Sequence, residues 1–152
     1  MNLQMEINSL KQRITELEEL AKEKQEFPQD GHWYWYITSD AGIGMSSWEE
    51  FEYQKEQLSI GNIFRTREQA EFALEKLKAE AELRKYSRPF KEGENENWFI
   101  LWGTYKKEVQ IDWSRKLVRQ GTIYFESRKK ANEAVESVGE ERIKKYLFGV
   151  ED

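Results

Sequence analysis

The chain has 152 residues, 38% of them hydrophobic, 14% aromatic and 35% charged, with a net charge of −5. That length suits one compact domain with an appendage, since single domains cluster at about 100–150 residues. It contains no cysteine, which excludes disulfides, thiolate zinc sites and thiol nucleophiles and fits a reducing, cytoplasmic setting.

Leu3, Ile7, Leu10, Ile14, Leu17 and Ala21 recur at spacings of four, three, four, three and four, a heptad seam that predicts a coiled-coil helix over residues 1–26. With Ile7 and Ile14 at position a and Leu10 and Leu17 at d, the seam favours a parallel two-stranded coil, hence a homodimer. In that register Glu6 faces Lys11 of a second copy and Arg13 faces Glu18, two attractive pairs. An amphipathic helix folded back on its own domain is the alternative, because fewer than three heptads is short for an isolated coil. The same residues are too acidic and polar for a secretory signal, and no run approaches about 18 apolar residues, so no membrane partner is expected.

Pro28, Asp30 and Gly31 end the helix and open an α+β domain over residues 31–150. Trp33 to Ile37 reads as a strand, with Trp33, Trp35 and Ile37 on one face and Tyr34 and Tyr36 on the other. Gly42 and Gly44 suit a turn, and a lone G-x-G without a helix behind it is no phosphate loop. Ser47 and Glu50 have capping-box spacing for a short helix carrying Trp48, Phe51, Lys55 and Leu58, with an irregular loop as the alternative. Gly61 to Phe64 is a short strand leading into a helix capped by Thr66 and Gln69, which lines one side with Ala70, Ala73, Leu74, Leu77 and Ala81 and runs to about Lys85. Ser87, Pro89 and Gly93 mark a polar connection.

Trp98 to Trp102 and the alternating Val109, Ile111 and Trp113 make a hairpin around Gly103 to Lys107. Ser127 caps a helix bearing Ala131, Ala134, Val135 and Val138 that Gly139 terminates, and a last helix over 140–148 presents Ile143, Tyr146, Leu147 and Phe148. The two stretches, about 32–86 and 97–139, match: an aromatic strand, then Gly61, Ile63, Phe64, Thr66, Arg67 and Ala70 in one and Gly121, Ile123, Tyr124, Ser127, Arg128 and Ala131 in the other. The expectation is two ββ(β)α repeats whose antiparallel sheets pack against helices, after an N-terminal coiled-coil helix.

Catalysis is not expected. The single histidine, His32, sits beside Asp30 and Gly31 in a turn sequence, with no identifiable nucleophile or orienting carboxylate. No P-loop, nucleophile elbow or metal-ligand spacing occurs, so no cofactor is expected. Carboxylates sit at spacings that pair with cations along a helix, as Glu71 and Glu75 with Lys78. Trp33, Trp35, Trp98, Trp102 and Trp113 are expected in the core. Strands aromatic on both faces leave some rings outside, and Tyr34, Tyr36, Tyr53 and Tyr105 are the candidates for a partner surface. Arg65, Arg67 and Arg128 are the candidates for phosphates of a nucleotide ligand, and Arg128, Lys129 and Lys130 for a lesser nucleic-acid reading.

Residues 1–97 hold 13 Lys/Arg against 20 Asp/Glu, whereas residues 98–152 hold 11 against 9. An acidic first half speaks against nonspecific binding to phosphate backbones, which needs cations, and for an encounter with a basic site on a protein.

The heptad helix, the Trp33-Tyr34-Trp35-Tyr36-Ile37 strand, the stretch from Gly61 to Glu71 and the ending Ile143 to Glu151 together resemble a group of small uncharacterised phage and prophage proteins of Gram-positive bacteria. The resemblance spans nearly the whole chain and carries no catalytic signature. It implies a phage accessory protein in the cytoplasm of a bacterial host. It also implies a counter-defence, anti-CRISPR-like inhibitor of a host immune protein or, alternatively, a sponge for a nucleotide immune signal.

Overall fold

The computed structural model describes residues 2–24 and 26–151. It has an α+β architecture: α1 (Leu3–Lys24), β1 (Trp33–Ile37), β2 (Ile43–Ser47), α2 (Glu52–Ser59), α3 (Arg67–Arg84), β3 (Asn97–Gly103), β4 (Glu108–Ser114), α4 (Arg128–Val138), α5 (Glu140–Arg142) and a π-helical turn (Ile143–Leu147). β1 pairs with β2 and β3 with β4, giving two two-stranded sheets. Met1 and Gln25, inside the expected coil, lie outside the described residues.

Two compact units divide the chain. One takes residues up to Tyr36 together with Gly44–Arg65, and the other takes Ile37–Ile43 and Thr66 onward. The sequence grouping of 32–86 does not follow this division, because α3 packs on α4 and the π-helical turn in the second unit.

In the first unit Trp33 and Tyr34 depart from the burial expected of them, while Trp35, Tyr36 and Ile37 are all half-buried. Tyr34 is wholly buried, whereas Trp33 is 62% exposed. The reason is polar. α2 brings Gln54 and Gln57 to the Tyr34 hydroxyl, which receives a hydrogen bond from Gln54 Nε2 at 3.0 Å and donates to Gln57 Oε1 at 3.2 Å. The Trp48 ring closes the same side edge-on at 6.0 Å. A tyrosine whose hydroxyl is satisfied is buried without a desolvation penalty.

The start of α2 differs from the sequence expectation. Ser47 ends β2 and caps nothing, and Glu50 has φ 57, a left-handed residue that stops any helix from beginning at Trp48. Gln54 supplies the cap, its Oε1 accepting from the Glu49 and Phe51 N–H groups at 2.9 and 3.2 Å. Gly44 lies inside β2, not in the turn, with the Tyr36 side chain across it. On the far side of β1, Trp35 and Phe64 exchange backbone hydrogen bonds, both 2.9 Å.

The second unit holds the larger core. Trp98, Ile100 and Trp102 stand opposite Trp113, Ile111 and Val109 across β3 and β4. Trp98, Ile100, Val109 and Ile111 pack on a cluster of Ala79, Leu83, Phe125, Ala131, Ala134, Val138 and Ile143. Trp113 stays 41% exposed at the hairpin's open end, so it and Trp33 depart from the expected core. Trp98 and Phe125 exchange backbone hydrogen bonds of 3.0 and 2.8 Å, which sets the strand edge against the segment leading into α4.

Both helix caps form as the sequence indicates: Thr66 Oγ1 accepts from Gln69 N–H at 3.2 Å, and Ser127 Oγ from Lys130 N–H at 3.1 Å. The buried face of α3 does not. Leu77 and Ala81 are exposed, while Ala70 and Leu74 are buried in the first half and Ala79 and Leu83 in the second. At 100° per residue these pairs lie on nearly opposite sides of the helix, so no single stripe exists to be read. Gly139 ends α4 at φ 96, and the chain returns through α5 into the π-helical turn that buries Ile143.

Candidate functional site

The candidate interface is α1. A helix of 22 residues with its apolar positions aligned by heptad spacing exposes all of them: Leu3, Ile7, Leu10, Ile14, Leu17 and Ala21. Leu10 is 64% and Ile14 55% exposed, so no described residue of its own unit covers the seam. Flanking charges are engaged along the helix only weakly, Arg13 meeting Glu16 at 3.3 Å. Such an exposed pair contributes about 0.3–0.5 kcal/mol, little enough to be exchanged for a cross-chain pair.

The exit from α1 is pinned. The Arg65 guanidinium lies over the Phe27 ring at 4.9 Å, and its Nη1 donates to the Lys22 carbonyl at 3.4 Å. Phe27 stacks in turn on His32 at 5.9 Å. His32 Nδ1 accepts the Gln29 N–H at 3.1 Å, a turn contact. Among the described residues no group of three His, Cys, Asp or Glu is placed to hold a metal.

The tyrosines expected at a partner surface divide. Tyr34 is corrected to a core residue by its contacts with Gln54 and Gln57. Tyr36 is half-buried beside Gly44. Tyr53 is exposed and tilted against exposed Phe51 at 5.8 Å, and Tyr105 stands 97% exposed in the turn between β3 and β4. The arginines expected at a phosphate are each held by a neighbour in their own unit: Arg65 by Phe27, Arg67 by Glu71 at 2.8 Å, and Arg128 by the Trp98 ring at 5.0 Å.

Three other arginines escape a reading by motif. Arg84 ends α3, Arg88 follows it and Arg119 lies beyond β4, yet the second unit gathers them around one groove of about 460 Å³. Their separation along the chain hides the grouping, because the Arg88–Tyr124 bridge that assembles it is long-range. Only Arg119 belongs to the basic surplus after residue 97, and Arg84 and Arg88 lie in the acidic half, so charge balance does not show the grouping either.

No protein-family model, curated protein or solved structure matches the chain. No helix among the described residues is long and apolar enough to cross a membrane.

Proposed function

We propose that the chain is a non-catalytic accessory protein that assembles as a parallel homodimer through α1 and, as a dimer, binds and inhibits a protein partner. The observation that carries this is the uncovered heptad seam from Leu3 to Ala21. Apolar side chains kept in water along a whole helix face are stabilised by burial against a second copy, at about 25 cal/mol per Å² of apolar area. The acidic balance of residues 1–97 and the exposed Tyr53 and Tyr105 fit a partner with a basic site, where charge speeds the encounter and aromatic rings anchor it.

The resemblance to phage accessory proteins makes the partner a host immune protein and the role counter-defence. The test expresses the chain in bacteria carrying a panel of defence systems and counts phage plaques. Wild type restores plaquing against one system, and Leu10→Lys with Ile14→Lys, monomeric by light scattering, does not. Absence of protection across the panel refutes counter-defence, and a wild-type mass of one chain refutes the coil.

A further inference from the structure

We propose that the groove bounded by Arg84, Arg88 and Arg119 binds the phosphate of a nucleotide, either free or within a single strand. Three arginines line the recess and, among the described residues, no Asp or Glu does, in a chain whose net charge is −5. A concave surface of one sign focuses its field and draws in the opposite charge.

The cations are largely uncompensated. Arg84 meets Glu80 at 3.6 Å but remains mostly exposed. Arg88 donates to the carbonyl oxygens of Pro89 and Glu96 at 3.0 and 2.9 Å and to Asn97 Oδ1 at 2.8 Å, all neutral acceptors that hold the group in place without cancelling its charge. The Arg119 guanidinium lies over the Phe99 ring at 4.5 Å, and its backbone N–H donates to the Tyr124 hydroxyl at 2.7 Å. Guanidinium forks offer two parallel N–H donors to a pair of phosphate oxygens.

The rest of the lining selects a nucleotide over a plain anion. Half-buried Phe90 rests edge to face on the buried Tyr124 ring at 5.1 Å and, with Ile123 and exposed Val118, forms an apolar wall beside the arginines. A nucleobase has a flat face to lay on such a wall, and Thr122 lines the same groove as a polar neighbour for sugar or base edges, while the Ser87 hydroxyl donates to the Arg84 carbonyl at 2.8 Å. An acidic side chain would reach the arginines with nothing to cover that wall.

The experiment uses the full chain at low salt, with fluorescence anisotropy of a labelled thymidine decanucleotide and calorimetry with ATP as separate arms for the two sources. Binding in at least one arm is expected, weakening as salt rises. The double variant Arg84→Glu with Arg119→Glu weakens it at least roughly tenfold, and Arg119→Ala alone weakens it less, with both circular-dichroism spectra unchanged. Lys129→Glu, a charge reversal outside the groove, leaves it within about twofold. Failure of both probes to bind overturns the proposal. So does equal affinity for a ten-residue polyglutamate, or an equal loss in the Lys129→Glu variant. None of these outcomes depends on the state of α1.

Discussion

The Gln54 carboxamide, wholly buried, donates to the Tyr34 hydroxyl at 3.0 Å and so ties the one fully buried ring of β1 to α2. Gln54 also donates to the Ser47 carbonyl at 2.9 Å and accepts two backbone N–H groups from the chain entering α2. Strand β2, strand β1 and helix α2 therefore meet at one side chain.

Gln54→Ala should consequently lower the unfolding free energy by roughly 2–4 kcal/mol, since it leaves a cavity and strands buried partners without their bonds. Tyr34→Phe removes only the hydroxyl and should cost about 1–2 kcal/mol. Urea unfolding followed by circular dichroism measures both. Equal small effects would mean that water replaces the carboxamide.

Two glycines in strands make a paired prediction. A Cβ at Gly44 would collide with the Tyr36 ring, which is half-buried and tilted against Tyr34 at 5.8 Å. A Cβ at Gly103 would first meet the carboxamide of Gln110 on the facing strand. The rigid, half-buried ring must move as a whole to make room, whereas the flexible carboxamide can swing away. Gly44→Ala should destabilise by about 1–3 kcal/mol, and Gly103→Ala should change stability by less than about 1 kcal/mol. The same denaturation experiment separates them.

How far the fold was legible follows the range of each interaction. The Thr66 and Ser127 caps, the β3–β4 hairpin and the end of α4 at Gly139 are set within a few residues of themselves, and the sequence displays them. The burial of Tyr34 involves Gln54, 20 residues away, and no alternation rule contains that contact. Ser47 and Glu50 had the right spacing for a capping box, but strand pairing claimed Ser47 and a left-handed φ at Glu50 displaced the helix. At the candidate interface the seam was readable because a heptad is periodic. The groove was unreadable because Arg88 and Arg119 are joined only through the long-range pairing of Arg88 with Tyr124.

Acid should act on the turn between β1 and β2. The Thr38 hydroxyl donates to the Asp40 carboxylate and, with a bond from the Asp40 backbone, holds its pKa below the ordinary value. A depressed carboxylate favours the folded turn once pH exceeds its unfolded pKa, and that contribution disappears as pH falls through the lower folded value. Following the Asp40 carboxyl carbon by NMR should show a midpoint below that of an ordinary aspartate, moved upward by Thr38→Val. An unchanged midpoint in the variant would remove the hydroxyl as the cause.

The charges beside the α1 seam test the direction of the coil apart from its existence. In a parallel pair with Ile7 and Ile14 at a, Glu6 faces Lys11 of the second copy, and symmetry makes that pair twice. Lys11→Glu replaces two attractions with two repulsions and should weaken dimerisation by about 1–2 kcal/mol, or roughly five- to thirtyfold in Kd. Adding Glu6→Lys to the same chain restores attraction and should recover most of the loss, more completely at low salt, because exposed pairs are screened. Sedimentation equilibrium over a concentration series reads each Kd. An antiparallel arrangement would place Lys11 against a different residue, and Glu6→Lys would then give no rescue.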